Sequence, residues 1–259
     1  MMPDEKTKKQ SPAGGLRTSR KIGLALAFPL WVLVSFGVAQ ALVYTILWIL
    51  TRLGVPIDLF DGAAFQTLAT AVIYTLSLSI AVGLPWLIKK RRANWGELGL
   101  NRLPTWTDIL LAPAGFIVYF LASALLIFLT TQLLPGFDVE QVQEIGFDNI
   151  AQRHEYLMAF ITLVIIAPVA EEALFRGYLY GHLRARIPIW LAMLITSAVF
   201  GAVHGQLNVA IDTFALSMIM CSLREVTGSI WAGILLHMLK NGLAFYLLFV
   251  NPSLVGIMV

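Results

Sequence analysis

The sequence predicts an all-α protein, a polytopic integral membrane helix bundle with about seven to eight transmembrane helices. Three observations lead there. Hydrophobic residues make up 58% of the 259 and charged residues only 13%, about half the charged share of an average soluble domain. Mean hydropathy is +0.79. The apolar residues form runs near the ~20 residues that a helix needs to cross a bilayer, and basic residues stand at their ends. The length suits one membrane domain over residues 22–259, preceded by a flexible basic tail over residues 1–21.

That tail mixes Lys6, Lys8, Lys9, Arg17, Arg20 and Lys21 with Pro and Gly. Ile22 to Thr51 is the first span; it is far longer than the apolar core of about 7–15 residues in a cleavable signal, so it is expected to stay. A short loop carrying Asp58 and Asp61 leads to the second span, Ala63 to Ile88. Lys89, Lys90, Arg91 and Arg92 end it, and with the basic tail they place the N-terminus on the cytoplasmic side. Residues 93–107 read as an interfacial segment anchored by Trp95 and Trp106. Asp108 to Leu134 is the third span. The loop after it holds Asp138, Glu140, Glu144 and Asp148 and falls outside.

Tyr156 to about His182 forms the fourth span, ended by Arg184 and Arg186. Ile189 to His204 is the fifth, Val209 to Leu223 the sixth and Ser229 to Val250 the seventh. The fifth and sixth fall short of the ~20 residues of a comfortable crossing, so tilt, extension or shielding inside the bundle is expected. The formal charge is only +3 and its positives sit beside apolar runs, so nucleic acid is not an expected partner and lipid is. Cys221 is the single cysteine, which excludes an internal disulfide and a cysteine-rich metal site.

Ionisable groups at membrane depth mark function by default, and the fourth span carries Glu171, Glu172 and Arg176. Glu172 and Arg176 are four apart and share a helix face, while Glu171 points about 100° away. Phe200 and His204 are likewise four apart on the fifth span, and His237 and Asn241 on the seventh. At about 1.5 Å per residue, Glu171 lies about 20 Å from Arg184, His204 about 22 Å from Ile189, and His237 and Asn241 about 14 and 20 Å from Gly228. One layer therefore holds a carboxylate, two imidazoles and an amide. Pro168, one turn before Glu171, is expected to loosen the helix and free a carbonyl. Gly177 with Gly181 and Gly201 with Gly205 allow close helix approach. His154 and His182 read as solvated, and Asp212, Gln206 and Asn208 as lining the outer mouth.

Such a layer can activate water and hold an oxyanion. No G-x-S-x-G or H-E-x-x-H occurs, so serine-hydrolase and common zinc-protease signatures are missing. Zinc bound by Glu171, His204 and His237 is stereochemically conceivable.

Taken in order, Glu171-Glu172-x-x-x-Arg176, Phe200-x-x-x-His204 and His237-x-x-x-Asn241 resemble the three motifs of the CPBP family, the CAAX-processing and bacteriocin-processing (Abi) membrane endopeptidases. The motif core covers about residues 155–245. The resemblance implies an intramembrane endopeptidase in the cell membrane (the inner membrane in a bacterium) acting on a membrane-associated or lipidated peptide from the cytoplasmic side. By position Glu171 would be the base on water, His204 would hold that water, and His237 with Asn241 would form the oxyanion site. Glu172, Arg176 and Phe200 would support them. It implies catalysis with no cofactor, although the family has been labelled metal-dependent. Two readings of other classes are a non-proteolytic scaffold or bacteriocin self-immunity protein that keeps the fold, and a proton-coupled transporter. No oligomeric state is assigned by the sequence.

Overall fold

The computed structural model describes residues 13–56, 62–89, 95, 96, 98–139, 141, 150 and 152–255. Among them seven helical rods stand where spans were expected: α1 (Ala13–Arg52), α2 (Ala63–Ile88), α3 (Trp106–Leu133), α4 (Arg153–Arg184), α5 (Ile189–Ala202), α6 (Leu207–Thr227) and α7 (Trp231–Val250). Residues 27–52 of α1 together with α2, α3, α4 and α7 are long and apolar enough to cross a membrane. With 14 residues, α5 rises about 21 Å, short of the ~30 Å hydrocarbon core. α6 extends beyond the expected sixth span at both ends. After α7 the chain makes a single 3₁₀ turn, Pro252–Val255.

The helix of α1 begins at Ala13, inside the stretch expected to be a tail. Residues 1–12 of that tail, Lys90 to Arg92 of the basic block, and Glu140, Glu144 and Asp148 of the acidic loop lie outside the described residues.

Helix α4 is central and packs against α1, α2, α5, α6 and α7. Its face of Leu174, Phe175, Leu179, Tyr180 and Leu183 is buried together with Leu216, Met220 and Cys221 of α6 and Leu236 of α7. Large apolar side chains elsewhere point outward, among them Leu30, Trp48, Phe120, Leu121 and Phe128. A bundle that is apolar on its outside as well as its inside is built for lipid.

Small residues set the closest approaches. A Cβ at Gly201 would stand 2.6 Å from the Ala210 carbonyl oxygen, so α5 and α6 meet backbone to backbone here. Gly201→Ala is expected to force the two apart and cost about 1–3 kcal/mol, read as a lower melting temperature in detergent. α3 starts with a capping box between Thr105 and Asp108, and Arg102 donates to Asp108 at 2.9 Å. The preceding loop is fixed to the α6–α7 turn. Ser229 Oγ donates to the Gly99 carbonyl at 2.8 Å, Ile230 N to the same carbonyl at 3.1 Å, and Trp231 Nε1 to the Arg102 carbonyl at 2.7 Å. The Leu98 carbonyl rests on α4 where Gly177 leaves room, 3.0 Å from a would-be Cβ.

Candidate active site

Two π-helical stretches, Ile161–Ile166 and Glu172–Tyr180, interrupt α4 on either side of Pro168 and Glu171. Proline has no N–H, so it cannot bond back along its own helix. In the π register the carbonyl five residues before Pro168 is that of Leu163, while Ala167 N–H already reaches the Thr162 carbonyl. The Leu163 carbonyl is thus left over, and Asn241 Nδ2 donates to it at 2.9 Å from α7. The carbonyl expected to be freed by Pro168 is found, and Asn241 satisfies it.

The two glutamates separate as their spacing predicts. Glu172 is fully buried and accepts from Arg176 Nη1 at 2.9 Å. The Arg176 guanidinium stacks over the Phe200 ring, 4.1 Å from its centroid, an arrangement that favours a desolvated cation. Its Nε and Nη2, and Glu172 Oε2, have no hydrogen-bond partner among the described residues. Gly233 on α7 makes room for that carboxylate, since a Cβ there would stand 3.0 Å from Oε2.

His237 meets both carboxylates. Its Nδ1 lies 3.2 Å from Glu172 Oε1 and its Nε2 lies 3.9 Å from Glu171 Oε2. A carboxylate only accepts, so Nδ1 carries the proton toward Glu172. The 3.9 Å gap is too long for a direct hydrogen bond and suits a shared water. His204 Nδ1 donates to the Phe200 carbonyl at 2.7 Å, which leaves Nε2 of the neutral ring as an acceptor. The Phe200 ring stands edge-on to both imidazoles, with centroids 5.0 Å from His204 and 5.9 Å from His237. Glu171, Glu172, Arg176, Phe200, His204 and His237 are therefore gathered between α4, α5 and α7. Asn241 lies one turn farther along α7, turned onto Leu163.

One neighbour had no signature in the sequence: Tyr74 of α2 donates its hydroxyl to Glu171 Oε1. Two of the polar residues expected at the outer mouth have defined partners. Asp212 accepts from Tyr119 at 2.7 Å and Ser123 at 2.6 Å and faces Lys240 Nζ at 3.6 Å, joining α3, α6 and α7. Asn208 donates to the Gln141 carbonyl at 2.8 Å. His154 is exposed, but His182 is half-buried between Phe28 and Tyr178, with centroids at 4.6 and 4.4 Å. Its polar ring is covered by aromatic neighbours instead of water.

Among the described residues no group of three or more His, Cys, Asp and Glu side chains is placed to hold a metal ion.

Residues 153–243 match the family model described as Type II CAAX prenyl endopeptidase Rce1-like. An Escherichia coli protein named "Uncharacterized 24.3 kDa protein" is 35% identical over 89 residues, covering 32% of this chain and 41% of the relative. "Putative membrane peptidase YdiL" of Bacillus subtilis (strain 168) is 31% identical over 84 residues, 32% of this chain and 34% of the relative. The chain thus spans less than half the length of either. No solved structure matches it.

Proposed function

We propose that this chain is a membrane endopeptidase of the CPBP family, a reading that the match of residues 153–243 supports, and that it hydrolyses a peptide bond of a membrane-associated or lipidated peptide with water activated by Glu171. The observation that carries this reading is the division of the glutamates. Glu172 is spent on Arg176 and His237, whereas Glu171 Oε2 stands 3.9 Å from His237 Nε2, a separation that one water beside the pair can bridge.

In the proposed reaction Glu171 Oε2 takes a proton from that water. The water oxygen bonds to the substrate carbonyl carbon as the C=O pair moves onto the carbonyl oxygen. His204 Nε2 accepts the other hydrogen of the water and holds it in line. The second N–H of the Asn241 amide serves the developing oxyanion, and His237 joins it as the imidazolium, in which Nδ1–H stays on Glu172 and Nε2–H also donates; aligned donors of this kind contribute most in a dry site. The tetrahedral centre then collapses, the C–N bond breaks with its electron pair going to nitrogen, and the proton held by Glu171 passes to that nitrogen. We place the N-terminus in the cytoplasm and the chain in the cell membrane, the inner membrane in a bacterium, on the asymmetry of Lys and Arg.

Purified protein in detergent would be given lipidated and unmodified peptides beside Glu171→Ala and His204→Ala. Cleavage is expected from the wild type and lost in both variants; cleavage that survives both overturns the reading. Activity is also expected to persist after exhaustive chelation. Stoichiometric zinc that activity requires, found by elemental analysis, would overturn the metal-free form.

A further inference from the structure

Helix α2 lies outside the segment that matches the family model, yet it supplies a hydrogen-bond donor to Glu171. Thr162 Oγ1 donates to Thr67 Oγ1 at 2.9 Å, and farther along both helices Tyr74 donates to Glu171 Oε1. The two bonds advance in the same direction along both helices, so α2 and α4 run parallel and are fixed at two heights. Behind Tyr74 stands Phe36 of α1, with ring centroids 5.9 Å apart, so the phenol is backed by a packed ring. Counted from Ile88, Tyr74 is 14 residues deep, about 21 Å, the depth at which Glu171 stands below Arg184.

We propose that Tyr74 is a positioning residue for the base, holding Glu171 Oε1 so that Oε2 faces the gap before His237. This rests on the reading of Glu171 given above. A glutamate side chain has three soft torsions, and among the described residues Glu171 has no ion-pair partner as close as Arg176 is to Glu172. With one oxygen tied to a phenol whose ring is packed, the carboxylate plane cannot swing and the other oxygen keeps its line to the water. Misplacement of a reacting group by about 1 Å can cost on the order of 10²-fold in rate. The Thr67–Thr162 bond holds α2 against α4 without the phenol, so removing the hydroxyl should leave the packing in place.

The test compares wild type, Glu171→Gln, Tyr74→Phe and 4-aminophenylalanine introduced at position 74, all in detergent with one cleaved peptide. Tyr74→Phe is expected to lower kcat about 10–100-fold, with KM within about twofold and a melting temperature within about 2 °C of wild type. The 4-amino group donates where the hydroxyl did, and it is expected to restore most of kcat. Wild-type kcat in Tyr74→Phe while Glu171→Gln is inactive overturns the role of Tyr74 and leaves the base assignment standing. A loss confined to KM, or no rescue in a 4-aminophenylalanine protein that melts like wild type, also overturns it. A wild type that cleaves no peptide removes the base assignment and this inference together.

Discussion

Glu171→Gln is expected to lower kcat by about 10²–10⁴-fold, the usual share of a positioned general base, while the melting temperature moves little. Glutamine keeps the volume and an oxygen for the Tyr74 hydroxyl, but it cannot take a proton. The opposite pattern is expected at the adjacent position. Glu172→Gln keeps an oxygen acceptor but removes the negative charge to which both Arg176 and the His237 Nδ1–H are bonded, so its first effect is on folding. Exposure separates the two as well: the Glu171 side chain keeps 14% of its surface accessible and Glu172 keeps 0%. Water must reach a base and need not reach a brace. Measuring kcat and melting temperature for both variants decides the matter. An active Glu171→Gln beside an inactive Glu172→Gln that melts like wild type would reverse the assignment.

Much of this arrangement is legible in the residues. The spans follow from apolar runs and their basic ends, because length and hydropathy are local properties. The Glu172–Arg176 pair follows from a spacing of four, and the common depth of Glu171, His204 and His237 from a constant rise. What escapes is whatever depends on departures from a regular helix or on a neighbour distant in sequence. A straight α4 would point Glu171 and Glu172 about 100° apart, yet the π-helical stretch beginning at Glu172 lets one imidazole approach both. Asn241 reads as a partner of His237 on one helical face, but the carbonyl orphaned by Pro168 draws its amide to Leu163. Tyr74 is one tyrosine in an apolar run, and nothing nearby in the chain distinguishes it from a packing residue. Its depth, counted from Ile88, is the one available signal. Asp212 reads as a mouth residue because its hydroxyl partners, Tyr119 and Ser123, come from α3, about 90 residues earlier.

The largest loss of stability is expected from Arg176→Met. This substitution leaves Glu172 fully buried without its cation, and removing one partner of a buried pair costs about 3–5 kcal/mol. Arg176→Lys is expected to recover little of it. A lysine ammonium cannot lie flat on the Phe200 ring as the guanidinium does at 4.1 Å, and it holds its hydration more tightly. The double variant Glu172→Gln/Arg176→Met is expected to regain most of the loss, because no unpaired charge then remains inside; the double-mutant cycle gives the coupling directly. A single Arg176→Met variant that melts like wild type would show that the pair does not support the bundle. The same cycle separates folding from chemistry. In the double variant His237 Nδ1 faces an amide instead of a carboxylate, so the imidazole loses the charged anchor that aims Nε2 at the gap before Glu171. A protein that is stable again but still slow in kcat is therefore expected, with the remaining defect lying in the hold that Glu172 keeps on His237.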